Sequence, residues 1–303
     1  MEKYVETQQI INSFSGNVKQ ADLIPLVETK NFVKDNDLLF VNQNTGIVSS
    51  NLPIDEKSIV EYWSNSIFTS KSVEDYSGFL PYAQGRLFYV FRNAVDFFKL
   101  QKDSKIRIAD FASGQGNLLD IFAAQLNKAE LFGTEHSLDL TKEQLNRGLK
   151  VFNTAISKDT QKMFNADIGF VNWTLSCSAN PYDFLQGVRN NLSENGYVVI
   201  SESSRILVPF KKPLSYLLNA SHPTNIHPWY FSKNALSALL LASGFEICYI
   251  NRYFDSDVLL IIAQKTIAPK SDDQIKVDDY RLIQQFFKEY LKIDQFYSSL
   301  LSD

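Results

Sequence analysis

Residues 105–117 read Lys-Ile-Arg-Ile-Ala-Asp-Phe-Ala-Ser-Gly-Gln-Gly-Asn. In this stretch a short apolar segment ends at Asp110, a loop of small residues follows, and a helical pattern begins at Asn117. A strand, a tight loop and a helix in this order open a ligand crevice at the end of an α/β sheet. A dinucleotide-binding loop would place a third glycine where Leu119 stands. The stretch therefore favours a nucleoside ligand other than a dinucleotide.

S-adenosylmethionine (SAM) is such a ligand, because it carries an adenosine, an amino acid and a sulfonium but no pyrophosphate. Small residues let the backbone approach its methionyl part closely, and a carboxylate after the next strand can accept both ribose hydroxyls. Residues 130–136, Glu-Leu-Phe-Gly-Thr-Glu-His, supply that strand, and Glu135 ends it at the expected distance of about 20 residues. We therefore predict a SAM site made by Asp110, Ala112, Gly114, Gly116 and Glu135.

Four segments of the chain occur in an order that is typical of one enzyme family. They are the loop 110–116, then Glu135, then Phe-Leu-Gln-Gly-Val-Arg at 184–189 with Asn-Gly-Tyr-Val-Val-Ile at 195–200, and finally His-Pro-Trp-Tyr-Phe-Ser at 227–232. In this order they resemble the class I SAM-dependent methyltransferases. More narrowly, they resemble the bacterial sugar methyltransferases that carry a small N-terminal zinc-binding domain. The resemblance implies SAM as cofactor, a Rossmann-like core, and a sugar-containing small molecule or a glycan precursor as acceptor.

The composition agrees with a soluble enzyme. The chain has 303 residues and a net charge of −4, whereas a nucleic-acid-binding protein would normally be basic. No apolar run approaches the length of a membrane span, and the first residues lack the apolar core of a signal peptide. We therefore expect a cytoplasmic enzyme of sugar biosynthesis, with no nucleic-acid or membrane partner.

The N-terminal region lacks the cysteines that hold zinc in the related enzymes. The first cysteine of the chain is Cys177, so a four-thiolate zinc site cannot form within residues 1–100. Residues 38–48 still follow a strand, turn and strand pattern. We predict a small β-rich subdomain over residues 1–57, held by apolar packing instead of a metal, and no metal site.

Strand and helix patterns alternate over residues 101–268, which predicts a doubly wound, mostly parallel α/β sheet. The resemblance sets this sheet at seven strands. Residues 139–152 have a helical pattern, and the strand that follows is poorly marked. Residues 58–100 predict a helical linker or lid, and residues 269–303 an amphipathic C-terminal helix. That helix covers the core or pairs the subunits of a homodimer, and the sequence leaves both open.

Three residues ahead of the core are candidates for closing over the cofactor. Tyr76 and Tyr82 flank Gly78 and Pro81, which predicts a loop. A tyrosine ring can pack against a sulfonium, and Arg86 can pair with the methionyl carboxylate. A local structural role is the alternative for all three.

Further cofactor contacts are predicted at two strand ends. His136 follows Glu135, where it can reach the ribose or the edge of the adenine. Asn172 and Trp173 stand near the end of the strand predicted over residues 168–175. The Trp173 indole stacks on the adenine, lines the acceptor site, or packs in the core.

Methyl transfer to a hydroxyl needs an aligned acceptor and benefits from a general base. His227 is the first candidate and Glu202 the second, whereas packing beside Trp229 is the structural alternative for His227. Carbon-methylating relatives have a Glu-His pair at this point, and Ile226 replaces the glutamate here. We therefore favour transfer to a sugar hydroxyl. The position after the fourth core strand that often holds a histidine in the wider family is Cys177.

Two alternatives to a sugar O-methyltransferase remain at this stage. One is a carbon methyltransferase that acts on a nucleotide-linked keto-sugar. The other is a methyltransferase-like binding or scaffold protein without turnover, because Ala112 replaces a glycine and no acid follows the third core strand.

Overall fold

A computed structural model describes most of the chain. For residues 64–65, 79–84 and 297 it describes the backbone alone. The described residues are 3–30, 38–50, 54–65, 79–202, 206–208, 218, 226–253, 258–266 and 274–300.

In the described part of the chain the β-strands form three sheets, and they are numbered here in chain order. They are β1 (Lys3–Glu6), β2 (Leu23–Leu26), β3 (Leu39–Asn42), β4 (Val48–Ser49), β5 (Arg107–Phe111), β6 (Glu130–Glu135), β7 (Lys150–Asn153), β8 (Ala166–Asn172), β9 (Leu192–Glu202), β10 (Trp229–Tyr230), β11 (Phe245–Ile250), β12 (Leu259–Lys265) and β13 (Gln274–Val277).

The α-helices lie before, between and after the strands of the largest sheet. They are α1 (Thr7–Phe14), α2 (Glu56–Asn65), α3 (Phe79–Phe98), α4 (Asn117–Gln125), α5 (Leu138–Asn146), α6 (Pro181–Asn191), α7 (Lys233–Ala242) and α8 (Tyr280–Leu300).

The largest sheet has seven strands in the spatial order β11-β12-β9-β8-β5-β6-β7. The strands β9, β8, β5, β6 and β7 pair in parallel, whereas β12 pairs antiparallel with both β9 and β11. This confirms the predicted doubly wound, mostly parallel sheet of seven strands. From β5 the chain first builds β6 and β7 on one side and then β8 and β9 on the other. The order thus reverses at β5, where a ligand crevice is expected at the carboxyl ends of the strands.

Side chains of the central strands alternate between two apolar layers, as the two-residue period of a strand requires. Ile108 and Phe170 pack with Phe122 against α3 and α4 on one face of the sheet. Ala109 and Val171 belong to the core on the other face, which includes residues of α1, α6 and α7. Both faces of the parallel strands are therefore covered by helices.

The N-terminal segment is built into the rest of the molecule. The strands β2, β3 and β4 form a four-stranded sheet together with β10, which comes from residues 229–230. Strand β1 pairs antiparallel with β13 near the other end of the chain. In α1, the fully buried Phe14 packs its ring 5.3 Å from the ring of Trp229.

Several local predictions were wrong. The C-terminal helix predicted over residues 269–303 begins only at Tyr280, because residues 274–277 form β13. The strand predicted over residues 168–175 is β8, which ends at Asn172. The helix predicted over residues 139–152 ends at Asn146, because Gly148 takes a left-handed φ of 83° and the chain then enters β7. The helix begins after Ser137, whose side chain accepts a hydrogen bond from the Leu140 N–H and caps it. Tyr82, predicted to lie in a loop, lies in α3, and Tyr76 is outside the described residues.

The turn between β3 and β4 packs against the link between β13 and α8. Gly46 in this turn has a φ of 68°, and a Cβ added to it would lie 2.1 Å from the backbone oxygen of Asp278. The Asp278 carboxylate accepts hydrogen bonds from Ser232 Oγ and from Asn234 Nδ2, the latter at 2.7 Å. Ser232 is also the N-cap of α7. The segment around Asp278 therefore joins the N-terminal hairpin to the start of α7.

We predict that Gly46→Ala lowers the free energy of unfolding by about 3 kcal/mol, the sum of left-handed strain and overpacking against the Asp278 backbone. Gly16→Ala is the matched control, because Gly16 has a φ of 76° and no described atom lies within 4 Å of a Cβ added there. The control should lose about 1 kcal/mol, for strain alone. Urea unfolding of both variants measures the difference. Equal losses would contradict the packing of this turn against Asp278.

Candidate functional site

The loop after β5 has a left-handed backbone at three positions. Ala112, Gly114 and Gly116 have φ values of 56°, 56° and 75°. A Cβ added to Gly116 would lie 2.6 Å from Gln144 Oε1, so a larger residue here would displace the Gln144 side chain. Among the atoms that the structure describes, none lies within 4 Å of a Cβ added to Gly114. The loop therefore presents open space at Gly114, where a ligand can approach the backbone.

Gln144, a fully buried residue of α5, holds the loop in place. Its Nε2 donates to the Gly114 carbonyl at 2.7 Å, and its Oε1 accepts from Ser113 Oγ at 3.0 Å. Sequence reasoning missed this residue. The signal was weak, because a glutamine in an amphipathic helix usually faces solvent.

The Glu135 carboxylate lies against the same loop. It is 3% exposed, and its Oε2 accepts the Gly114 N–H at 2.9 Å. Its Oε1 accepts the Ser137 N–H at 2.8 Å and lies 3.2 Å from His136 Nδ1. His136 Nε2 is buried and has no hydrogen-bond partner among the residues that the structure describes. The loop, Glu135 and His136 therefore form one group of polar atoms with unused hydrogen-bonding capacity.

Asp110 lies near the carboxyl end of β5, and Asn172 connects it to the end of β9. Its Oδ1 is 3.4 Å from Asn172 Nδ2 on β8, and Asn172 Oδ1 accepts from Ser201 Oγ on β9 at 2.8 Å. Burial raises the pKa of Asp110 to about 7. The charge of Glu135 also raises this pKa, whereas the Asn172 hydrogen bond lowers it. Asp110 is thus positioned to hold or release a proton near neutral pH.

Trp173 follows β8 in a strained backbone conformation. Its φ is 52°, which a residue with a Cβ rarely adopts, and its N–H donates to the Ser201 carbonyl at 2.8 Å. The guanidinium carbon of Arg86 lies 4.3 Å from the centre of the indole ring. Within the described ranges, the buried indole Nε1 has no hydrogen-bond partner. Arg86 and Trp173 therefore come together at the carboxyl end of the sheet.

Glu202 ends β9 and is fully buried. Its Oε1 accepts the N–H groups of Leu175 at 2.8 Å and Ser176 at 3.3 Å. Its Oε2 is buried and lacks a hydrogen-bond partner in the part of the chain that the structure describes. Burial raises the pKa of Glu202 to about 7, although these hydrogen bonds and the charge of Arg86 lower it.

His227 lies beside the turn that follows β8. Its Nδ1 is 3.1 Å from the sulfur of Cys177, and the Trp63 ring meets the imidazole edge-on, with centroids 5.4 Å apart. Burial strongly raises the pKa of the Cys177 thiol, and the Glu202 charge adds to this effect. Sequence reasoning considered Cys177 and His227 separately, because 50 residues divide them.

The candidate residues thus form two groups at the carboxyl end of the sheet. The first surrounds the loop at Gly114, and its members are Asp110, Ala112, Gly114, Gly116, Glu135, His136 and Asn172. The second surrounds Glu202, and its members are Arg86, Trp173, Cys177, Glu202 and His227.

The first group suits the adenosine and methionyl parts of SAM. A carboxylate has several lone pairs, so Glu135 can accept ribose hydroxyls in addition to its two N–H donors. The open space at Gly114 and the buried Nε2 of His136 supply room and one more polar contact. No group of three metal-ligating side chains occurs in the described residues. Of the helices described, none has the length and hydropathy to cross a membrane.

Comparison with a library of family models identifies a match to the methyltransferase domain over residues 83–250, which is more than half of the chain. A search of curated protein sequences found no match.

Several solved structures share the fold. The plantazolicin methyltransferase is 14% identical, and the match has a TM-score of 0.51 and covers 70% of this chain and 95% of the other. A geranyl diphosphate C-methyltransferase from Streptomyces coelicolor is 11% identical, with a TM-score of 0.51 and coverage of 70% and 98%. A Burkholderia thailandensis 1,6-didemethyltoxoflavin-N1-methyltransferase is 13% identical, with a TM-score of 0.51 and coverage of 73% and 95%. At these identities the matches establish the fold alone.

We predict that Glu202→Gln removes part of the pH dependence of stability. Because the pKa rises from 4.5 to about 7 on folding, the native protein keeps a proton that the unfolded chain has released. The free energy of unfolding therefore falls as the pH rises through this range, by about 3 kcal/mol in total. Glutamine stays neutral, so the variant should lose this fall.

Urea unfolding at about pH 5 and about pH 8 measures the effect. Glu246→Gln, at an exposed position of the edge strand β11, is the control and should behave like the wild type. An unchanged pH dependence in Glu202→Gln would contradict a raised pKa at this site.

Proposed function

The chain belongs to the methyltransferase domain family and is a SAM-dependent methyltransferase, and we propose that it transfers the methyl group to a hydroxyl of a sugar-containing small molecule or glycan precursor. One observation carries the choice of an oxygen acceptor: the imidazole of His227 lies beside the turn after β8, at the carboxyl end of the sheet. A hydroxyl acceptor needs a group that removes its proton, and an imidazole does so near neutral pH.

The group around Gly114 would hold the cofactor. Glu135 would accept the ribose hydroxyls, and the backbone at Gly114 would approach the methionyl part. Arg86 would pair with the methionyl carboxylate, and Trp173 would line the same side of the crevice. Bound SAM supplies a methyl group that its sulfonium activates. Contacts of Tyr76 and Tyr82 with the cofactor stay predictions.

In the group around Glu202, His227 and Glu202 would hold the acceptor, whereas Arg86 would serve the cofactor. His227 would take the proton of the acceptor hydroxyl. Glu202, with a pKa of about 7, is the second candidate for that role. The rings of Trp63 and Trp173 offer flat apolar surfaces of the kind that pack against the C–H face of a sugar ring.

Both alternatives left by the sequence, a carbon methyltransferase and a scaffold without turnover, are less favoured. Ile226 stands where carbon-methylating relatives have a glutamate, which favours an oxygen over a carbon acceptor. The family match favours an enzyme over a scaffold without turnover. A cytoplasmic location, a homodimer and the division of the chain at residues 57, 100 and 268 stay predictions.

We predict that Glu135→Gln weakens SAM binding by about 10- to 100-fold, because the neutral amide replaces a charged acceptor of the ribose hydroxyls. Isothermal titration calorimetry measures the Kd. Glu130→Gln is the matched control, since Glu130 is exposed at the other end of the same strand. Wild-type affinity in the Glu135 variant would remove this carboxylate from the cofactor site.

We predict that His227→Ala lowers kcat by about 10²- to 10⁴-fold and leaves the Kd for SAM unchanged, as expected for loss of a general base. The assay is transfer of labelled methyl from SAM to a panel of nucleotide sugars and extracted glycans. Analysis of the wild-type product then separates a methyl ether from a carbon–methyl bond. Normal turnover of the variant would exclude His227 as the base, and a carbon–methyl product would overturn the proposed acceptor.

A further inference from the structure

We propose that Cys177 is a positioning residue whose sulfur accepts a hydrogen bond from Nδ1–H of His227, so that Nε2 is the basic nitrogen of the imidazole. This inference rests on the proposed function, in which His227 takes the proton of the acceptor. The two ring nitrogens of a histidine are not equivalent, and the partner of one nitrogen decides which of the two carries the proton.

The contact itself is short and specific. Cys177 Sγ lies 3.1 Å from His227 Nδ1. The thiol has two other oxygens within reach for its own proton, the Trp173 carbonyl at 3.7 Å and Ser176 Oγ at 3.8 Å. When the S–H points to one of these oxygens, the sulfur lone pairs face the imidazole. The His227 N–H then donates to the sulfur.

The sulfur stays a neutral thiol in this environment. Burial raises the pKa of Cys177 far above its usual range, and the Glu202 carboxylate acts in the same direction. Arg86 is the cation whose charge acts on Glu202. A thiolate–imidazolium pair is therefore disfavoured. To act as a base, the imidazole beside this thiol must itself be neutral. The remaining question is which tautomer the imidazole adopts.

The turn that carries Cys177 is fixed from two sides. Glu202 Oε1 accepts the N–H groups of Leu175 at 2.8 Å and Ser176 at 3.3 Å, immediately before the cysteine. On the other side, Trp229 Nε1 donates to the Ser178 carbonyl at 2.7 Å. Because Trp229 is two residues from His227, this bond ties the segment of the histidine to the turn of the cysteine. These bonds thus fix the position of the Cys177 sulfur relative to the His227 ring.

The tautomer decides whether His227 can accept a proton from the substrate. With the proton on Nδ1, the proton that the acceptor hydroxyl loses goes to Nε2, and Nδ1 keeps its own proton throughout. With the proton on Nε2, the ring would present a donor where the reaction needs an acceptor. An imidazole in water prefers the Nε2–H form, so Cys177 would work against the intrinsic preference.

Nitrogen-15 NMR of protein labelled at histidine tests the tautomer without any assay of activity. The chain has three histidines, and His227→Gln identifies the signal of interest. We expect a protonated Nδ1 and an unprotonated Nε2 in the wild type, a shift toward Nε2–H in Cys177→Ala, and retention of Nδ1–H in Cys177→Ser. Cys248→Ala is the matched control, because Cys248 is exposed, and it should leave the spectrum unchanged.

Kinetics provide a second test, because a residue with only a structural role would not change kcat alone. We expect Cys177→Ala to lower kcat by about 10-fold with KM and the Kd for SAM unchanged, and Cys177→Ser to recover most of this loss. A fall in SAM affinity that parallels the fall in kcat, with no recovery in Cys177→Ser, would indicate general disruption of the site and overturn the inference.

The outcomes separate this inference from the proposed function. An Nε2–H tautomer in the wild type would overturn the role of Cys177, even if methyl transfer to sugars is observed. An Nδ1–H tautomer that depends on Cys177, in a protein that methylates no hydroxyl, would support the positioning role and overturn the proposed function.

Discussion

The hydrogen bond from the Gly114 N–H to Glu135 is the constraint on which the candidate site depends. It joins the loop after β5 to the end of β6, next to the point between β5 and β8 where the strand order reverses. The same carboxylate accepts the Ser137 N–H and so also holds the start of α5. Gln144 of α5 donates a hydrogen bond to the Gly114 carbonyl of the same loop. The end of β6, the loop and α5 are therefore connected to one another by hydrogen bonds. The strained φ of Ala112 persists because these neighbours fix the loop on both sides.

A second buried carboxylate does a similar task on the other side of the switch point. Glu202 ends β9 and accepts two consecutive N–H groups, those of Leu175 and Ser176. Each carboxylate thus accepts backbone N–H groups of a loop that have no partner within a helix or a sheet. The difference lies in what remains unused. Glu135 lies 3.2 Å from an imidazole nitrogen, whereas one oxygen of Glu202 lacks any partner in the described ranges. Burial raises the pKa of Glu202 to about 7.

Local sequence signals predicted much of this arrangement. The strands β5 and β6 were predicted to within a residue, because small residues and a strand-end acid mark them clearly. The helix α5 was predicted too long, since one glycine, Gly148, is tolerated in a helical pattern and ends this helix. The contact between Cys177 and His227 was missed because 50 residues and several elements separate the two. A contact between two side chains that are far apart in the chain depends on tertiary packing, and no periodic pattern in the sequence reveals it.

The way the small sheets are completed has a consequence for synthesis on the ribosome. The strands β2, β3 and β4 receive their fourth neighbour from residues 229–230, and β1 receives its partner from residues 274–277. The first fifty residues therefore emerge long before the strands that they pair with. Until then they present exposed edges, which favour association with other nascent chains. Such long-range closure also slows folding, because the entropy of a large loop is lost before the contact forms.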